Sequence, residues 1–324
     1  MFQGLLGSFG SFFRFHSLGF GKFLKDLHTL LYRRCYQVLS FLQLNWCDLN
    51  WKKWIKLKTK SQERLIIPSL KGVYRIRPAN KDFLMYIGQT NNLKRRTSML
   101  ASNSYKQDMP LNDPQTAAPN LWVWRQEQGW SYEVSVASTP ALTRQNRKGL
   151  ECLLLWKYRL ERGESTLCNH GRFHPDYLKS SEKLKGQKGR KLDSSEPRNP
   201  AGGASCPPLR PLKTHTSSDW MGLSWTESVK LKAANFAPAK PSIYKIVDLS
   251  NQELLYVGET NNLKGRLSEI KRKFSSAAFS YSAVSQRMLH HQILEIINDL
   301  IGYYYHLTGK SPIRQFAKEE NVVP

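Results

Sequence analysis

Acidic residues are scarce in this 324-residue chain: 25 Asp and Glu stand against 49 Lys and Arg, a formal charge of +24. That imbalance points to a polyanion, with nucleic acid the first candidate and an anionic membrane surface the second. Cysteine is also sparse. The five present (Cys35, Cys47, Cys152, Cys168, Cys206) are odd in number and form no C-x-x-C pair. This argues against a disulfide framework or a zinc cluster and fits an intracellular, reducing compartment. No apolar run reaches the roughly 18 residues of a membrane-spanning helix. The first acid is Asp26, and the leader before it, MFQGLLGSFGSFFRFHSLGFGKF, is rich in Phe, Gly and Ser and carries Arg14 and Lys22. An organelle-targeting transit peptide has such a composition. A plain extension over residues 1–50, outside the folded domains, accounts for it more simply and is the expectation. Large apolar residues are few again over residues 178–219, where Lys, Ser, Gly and Pro dominate; a disordered basic linker is expected there.

What the chain does contain is a duplicated stretch. Gly72 to Arg96 reads GVYRIRPANKDFLMYIGQTNNLKRR, and Ser242 to Arg266 reads SIYKIVDLSNQELLYVGETNNLKGR. Tyr74, Tyr86 and Arg96 have the same spacing as Tyr244, Tyr256 and Arg266, which marks an internal repeat. A Trp-Lys-Leu pattern precedes each copy, from Trp51 to Leu57 and from Trp225 to Leu231. Such a basic-aromatic mix can grip nucleic acid. Because one pattern serves both copies, tryptophan packing on its own sheet is the favoured reading.

Val73–Arg77 and Phe83–Gly88 alternate about a Pro78-Ala-Asn-Lys turn and predict a β-hairpin. Asn91 or Asn92 offers an N-cap to the helix that follows. On that helix Leu93, Arg96 and Leu100 share a face, so Arg96 points toward the sheet and Arg95 toward solvent. An inward arginine is costly unless an anion or acceptor meets it. Residues 101–130 are an insertion absent from the second copy, fit for either a packed helix or a groove lining. Tyr132–Ala137 predicts a third strand. Gln145–Arg162 predicts a helix with the apolar stripe Leu150, Leu153, Leu154 and Tyr158. Glu151 lies at the stripe's edge, where a carboxylate must be paired or hold a cation. A salt bridge to Arg147 or Lys148 is the competing account. In the second copy Phe279–Val284 is the third strand. Its last helix puts Ile297 at the spacing of Glu151; the nearest acid, Glu295, faces elsewhere on that helix. The place of Asn169 falls to Gln315 or Arg314.

Gly72-Val-Tyr74, Tyr86-Ile-Gly88, Arg96, the helix Glu151 and the late Asn169 occur in order, and on these residues the chain resembles the GIY-YIG nuclease family. The second copy, with Tyr244, Tyr256, Gly258 and Arg266, resembles it in degenerate form. The resemblance implies an α+β fold of two modules, at residues 51–177 and 220–324. Each would be a small three-stranded antiparallel sheet flanked by helices. It implies a metal-dependent DNA endonuclease acting through the first module, with the second binding DNA or docking on the first. Tyr74 would orient or deprotonate the attacking water, and Tyr86 would position the phosphate. Arg96 would stabilise the transition state, Glu151 would hold a divalent metal, Mg2+ by preference, and Asn169 would tie the site together. Gly72 and Gly88 would serve the motif structurally. The slot one turn after the arginine, a histidine in many members, is Leu100 here. A non-catalytic DNA-binding protein with two decayed modules is the alternative reading. A membrane-surface protein anchored by the Phe-rich leader is the third.

Overall fold

The hairpin signals resolve into two sheets of the same design. The computed structural model of the chain describes residues 39–59, 62–111, 117–180, 186–233, 238–274 and 276–317. The chain divides after Ser40, and both sheets belong to the compact unit that begins at Phe41. Readings that fall on residues 1–38 lie outside the described residues.

In the first module β1 (Ile55–Lys56), β2 (Gly72–Pro78), β3 (Tyr86–Thr90) and β4 (Tyr132–Ser138) form an antiparallel sheet in the order β1-β4-β2-β3. In the second, β7 (Val229–Lys230), β8 (Ser242–Asp248), β9 (Leu254–Thr260) and β10 (Ala277–Ala283) repeat it as β7-β10-β8-β9. The fold is α+β. The expected three-stranded sheets each have a fourth, two-residue edge strand, contributed by the segment after the tryptophans.

Helices cover the sheets: α1 (Leu93–Ser104), α2 (Ala117–Gln128) and α3 (Arg144–Arg162) in the first module, α4 (Leu263–Lys273) and α5 (His290–Thr308) in the second. Asn92 and Asn262 are the N-caps of α1 and α4, accepting from Arg95 N at 2.9 Å and Gly265 N at 3.1 Å. The insertion packs as α2, whose Leu121 and Val123 are fully buried.

Two expectations about boundaries are corrected. Residues 41–50 belong to the folded unit: Phe41 and Trp46 are buried, and Trp46 stacks on Trp51 with ring centroids 6.0 Å apart. Trp220 and Trp225 repeat this stack at 5.7 Å. Each pair carries a buried cation, Arg75 4.2 Å from the Trp51 ring and Lys245 4.5 Å from the Trp225 ring. Burial lowers Arg75 to about 9 and Lys245 to about 8. The tryptophans are thus structural, clamping the back of each sheet. The stretch 178–219, expected as a disordered linker, is folded over its described residues. A short hairpin, β5 (Tyr177–Leu178) with β6 (Arg190–Lys191), opens it, and a 3-10 turn at Pro200–Gly202 comes next. Its backbone then fills the seam between the modules. Cys206 N donates to Glu295 and Leu209 N to Asp299, each at 2.9 Å. Low hydrophobicity misled because polar partners hold that segment alongside the little apolar surface it packs, at Cys206 and Leu209.

The modules dock through equivalent helices, α3 on α5. Arg159 is fully buried and pairs with Glu295 at 3.0 Å and Asp299 at 2.9 Å. A Cβ at Gly302 would come within 2.6 Å of Cys152 O, and one at Gly149 within 2.5 Å of the Tyr305 ring, so the glycines let the helices approach closely. Glu295 holds in α5 the position of Gly149 in α3, and Tyr305 that of Arg159. The Gly149–Tyr305 and Glu295–Arg159 contacts therefore exchange under an internal twofold.

Candidate active site of the first module and its counterpart

Tyr74 pairs with Gly88 across the β2–β3 ladder and Tyr86 with Ile76, so the tyrosines are diagonal neighbours on one face. Their ring centroids lie 5.9 Å apart and the hydroxyls share a hydrogen bond. Gly88 lies beneath both rings. A Cβ there would sit 2.6 Å from the Tyr86 ring and 2.7 Å from the Tyr74 hydroxyl. Gly72 is crowded in the same way, since a Cβ there would overlap Ala137 O. Burial pushes both phenols well above their ordinary 10, so they stay protonated at neutral pH.

Arg96, on the first turn of α1, is half-buried while Arg95 is exposed. Its charge acts on Tyr74, on Tyr86 and on Glu151. Glu151 reaches the same place from α3, and burial raises its carboxyl from 4.5 to about 7 against the opposing pull of Lys148 and Arg96. Among the described residues Glu151 makes no ion pair; Arg147 instead donates to Leu142 O at 2.8 Å and to Asn91. Lys148 exerts the larger of the two opposing pulls without forming an ion pair with the carboxyl. The four side chains from two strands and two helices therefore form one electrostatic group.

Asn169 serves the backbone. Its Oδ1 accepts from Ile87 N at 3.0 Å and from Thr166 Oγ1 at 2.6 Å, and its amide donates to Ile87 O at 2.9 Å. Ile87 lies between Tyr86 and Gly88 on the outer strand of the sheet. One side chain thus completes the open edge as a further strand would. The backbone joins in, Cys168 N donating to Met85 O at 2.9 Å.

In the second module, Gln315 takes the Asn169 position, its Oε1 accepting from Val257 N at 2.9 Å, while Arg314 N donates to Leu255 O at 2.8 Å. Tyr244 and Tyr256 stack at 6.0 Å over Gly258, whose Cβ would fall 2.5 Å from Tyr244. Arg266 donates to the Tyr244 hydroxyl at 3.5 Å and pairs with Glu269 one turn on. Ile297 keeps the Glu151 position. Glu295, the acid nearest it, is fully buried against Arg159, away from the tyrosines. A cavity of about 460 Å³ opens over Tyr244, Tyr256 and Arg266.

Sequence reasoning began the second module at Trp220 but missed that the first begins at Trp46. Trp46-Cys-Asp-Leu-Asn-Trp51 and Trp220-Met-Gly-Leu-Ser-Trp225 share W-x-x-L-x-W, a signal available without coordinates. It also missed Glu269, whose place three residues after the arginine is taken by Met99 in the first copy. Among the described residues no three His, Cys, Asp or Glu are placed to hold a metal ion together, and no helix is long and apolar enough to cross a membrane. No family model, curated protein or solved structure matches the chain.

Proposed function

We propose that the first module is a metal-dependent DNA endonuclease of the GIY-YIG type, hydrolysing phosphodiester bonds. The observation that carries this reading is Glu151, a carboxyl held at about 7, without an ion pair among the described residues, beside two phenols and an arginine. A structural glutamate would be neutralised by a neighbour, as Glu295 is. A hard divalent cation fits this donor set, since magnesium takes one or two carboxylates and completes its shell with water and substrate phosphate. Glu151 would hold it; when bound, it would polarise a phosphate oxygen and acidify a water. Tyr86 donates its one hydroxyl proton to the Tyr74 oxygen, which leaves the Tyr74 proton free to orient the water, with Tyr86 fixing Tyr74 beside the phosphate. Arg96 meets the charge that builds on the phosphorus oxygens. Asn169, acting through the backbone at Ile87, is a positioning residue for Tyr86. The strong positive charge supplies sequence-independent attraction to the backbone of DNA.

The test uses supercoiled plasmid and the full chain. With magnesium the protein should nick or cut, and Glu151→Ala should abolish cutting while an EDTA gel shift is retained. Cutting by Glu151→Ala at the wild-type rate, or no cutting with magnesium or manganese, would overturn the proposal. Glu295→Ala is not a clean control, because it leaves Arg159 in a broken buried pair.

A further inference from the structure

The second module has lost the carboxylate at the Glu151 position, yet its cavity is rebuilt with charge and aromatic surface. Relative to the first copy, Met99 has become Glu269, Asn103 has become Lys273, Ser104 has become Phe274, and Cys168 has become Arg314. All four replacements line the cavity together with Tyr256 and Arg266. A site left to decay around a missing metal ligand has no reason to gain two cations and an aromatic wall.

We propose that this cavity is a metal-independent nucleotide pocket, taking a phosphate on Arg266, Lys273 and Arg314 and a base against Phe274 and Tyr256. The proposal deepens the nucleic-acid reading given above and rests on it. Three cations and one acid leave the cavity positive. Glu269 occupies Lys273 at 3.1 Å and one side of Arg266, whereas the Arg314 guanidinium is exposed and has no partner among the described residues. Phe274 lies 5.9 Å from Tyr256, ring centroid to centroid, leaving a continuous aromatic wall on which a base can stack. At about 460 Å³ the cavity has the volume of a small-ligand site.

Its position ties it to the first module. Phe316 lines the cavity, and Lys148 Nζ sits 4.9 Å over the Phe316 ring. Lys148 is also the cation that acts most strongly on Glu151. One lysine therefore spans the pocket wall and the neighbourhood of the first module's carboxyl. A strand held in the second pocket is held next to the site that would cut it.

The experiment uses full-length Glu151→Gln protein in EDTA, so that no strand is cut and no metal is held. Labelled (dT)8 is followed by anisotropy, and dTMP and inorganic phosphate by calorimetry. Both nucleotides should bind without metal. Arg314→Glu should weaken each about tenfold or more, the loss of one charge-assisted contact with a like charge added. Glu269→Gln should tighten binding, and Phe274→Ala should weaken dTMP but not phosphate. The proposal is overturned if binding needs magnesium, if Arg314→Glu and Glu269→Gln leave both affinities unchanged, or if inorganic phosphate binds as tightly as dTMP. Binding of dTMP with no binding of (dT)8 overturns the strand-holding role. Cutting by the wild-type protein is scored separately, so a failed nuclease reading and a failed pocket give different results.

Discussion

Replacing Glu151 by glutamine should make the folded chain more stable, and increasingly so as pH rises. The carboxyl sits at about 7 in the folded protein against an ordinary 4.5, because burial penalises its charged form. The ionised group is therefore worse off folded than unfolded. The penalty is absent below the unfolded value, grows between 4.5 and 7, and is complete above 7. Linkage sets it at just under about 1 kcal/mol at pH 5 and about 3 kcal/mol at pH 8. Glutamine keeps the shape and removes the charge, so urea midpoints with an unchanged m-value should favour the variant at pH 8 and nearly converge at pH 5. Magnesium should reverse the order, since it binds only the wild-type carboxylate; at ten times its Kd it adds about 1.4 kcal/mol to wild type and nothing to the variant, and the remainder at higher concentration. Equal differences at the two pH values would refute the buried-carboxyl argument. Equal stabilisation of both proteins by magnesium would refute the assignment of Glu151 as its holder.

Three further outcomes are expected. Arg159→Met strands two buried carboxylates and should cost about 3–5 kcal/mol in urea unfolding. The cost should be larger at pH 8 than at pH 5, since Asp299 stands at about 6 even with Arg159 in place. Gly88→Ala drives a methyl between Tyr74 and Tyr86, costing about 1–3 kcal/mol in a melt and most of the cleavage rate; Gly258→Ala should cost similar stability but act on KM instead of kcat. Asn169→Ala leaves both Ile87 backbone groups unpaired, about 1–3 kcal/mol, and should lower kcat more than it raises KM because Tyr86 loses its support.

Much of this was legible in the residues. The hairpins, a cap at Asn91 or Asn92, and the inward aim of Arg96 follow from period and local chemistry, which act over a few residues. Ile297 and Gln315 could be set against Glu151 and Asn169 by counting, although choosing Gln315 over Arg314 needed the bond to Val257 N. The seam between the modules could not be read. Arg159, Glu295 and Asp299 look like solvated helix charges in one dimension, and only the docking of α3 on α5 buries them together. The same holds for residues 203–209, whose order comes from carboxylates about ninety residues away.

That seam accounts for why the copies diverged as they did. A twofold contact between identical modules would set Gly149 of each against Arg159 of the other. In this chain Tyr305 stands where Arg159 would recur, and Glu295 where Gly149 would. One arginine is thus left to face two acids, and one glycine to receive one aromatic ring. The charge on α5 is committed to docking, while Ile297 holds the position that Glu151 has in α3. With no carboxylate to neutralise, the arginine of the second sheet found Glu269 on its own helix. Restoring an acid through Ile297→Glu would therefore face Arg266 already paired and Gln315 already bonded to Val257. The substitution alone should bury an uncompensated charge and lower the urea midpoint at pH 8. Paired with Glu269→Gln, it should recover part of that loss, and the recovery should grow with magnesium. A double variant no more stable than the single one would mean that Arg266 does not answer to either acid.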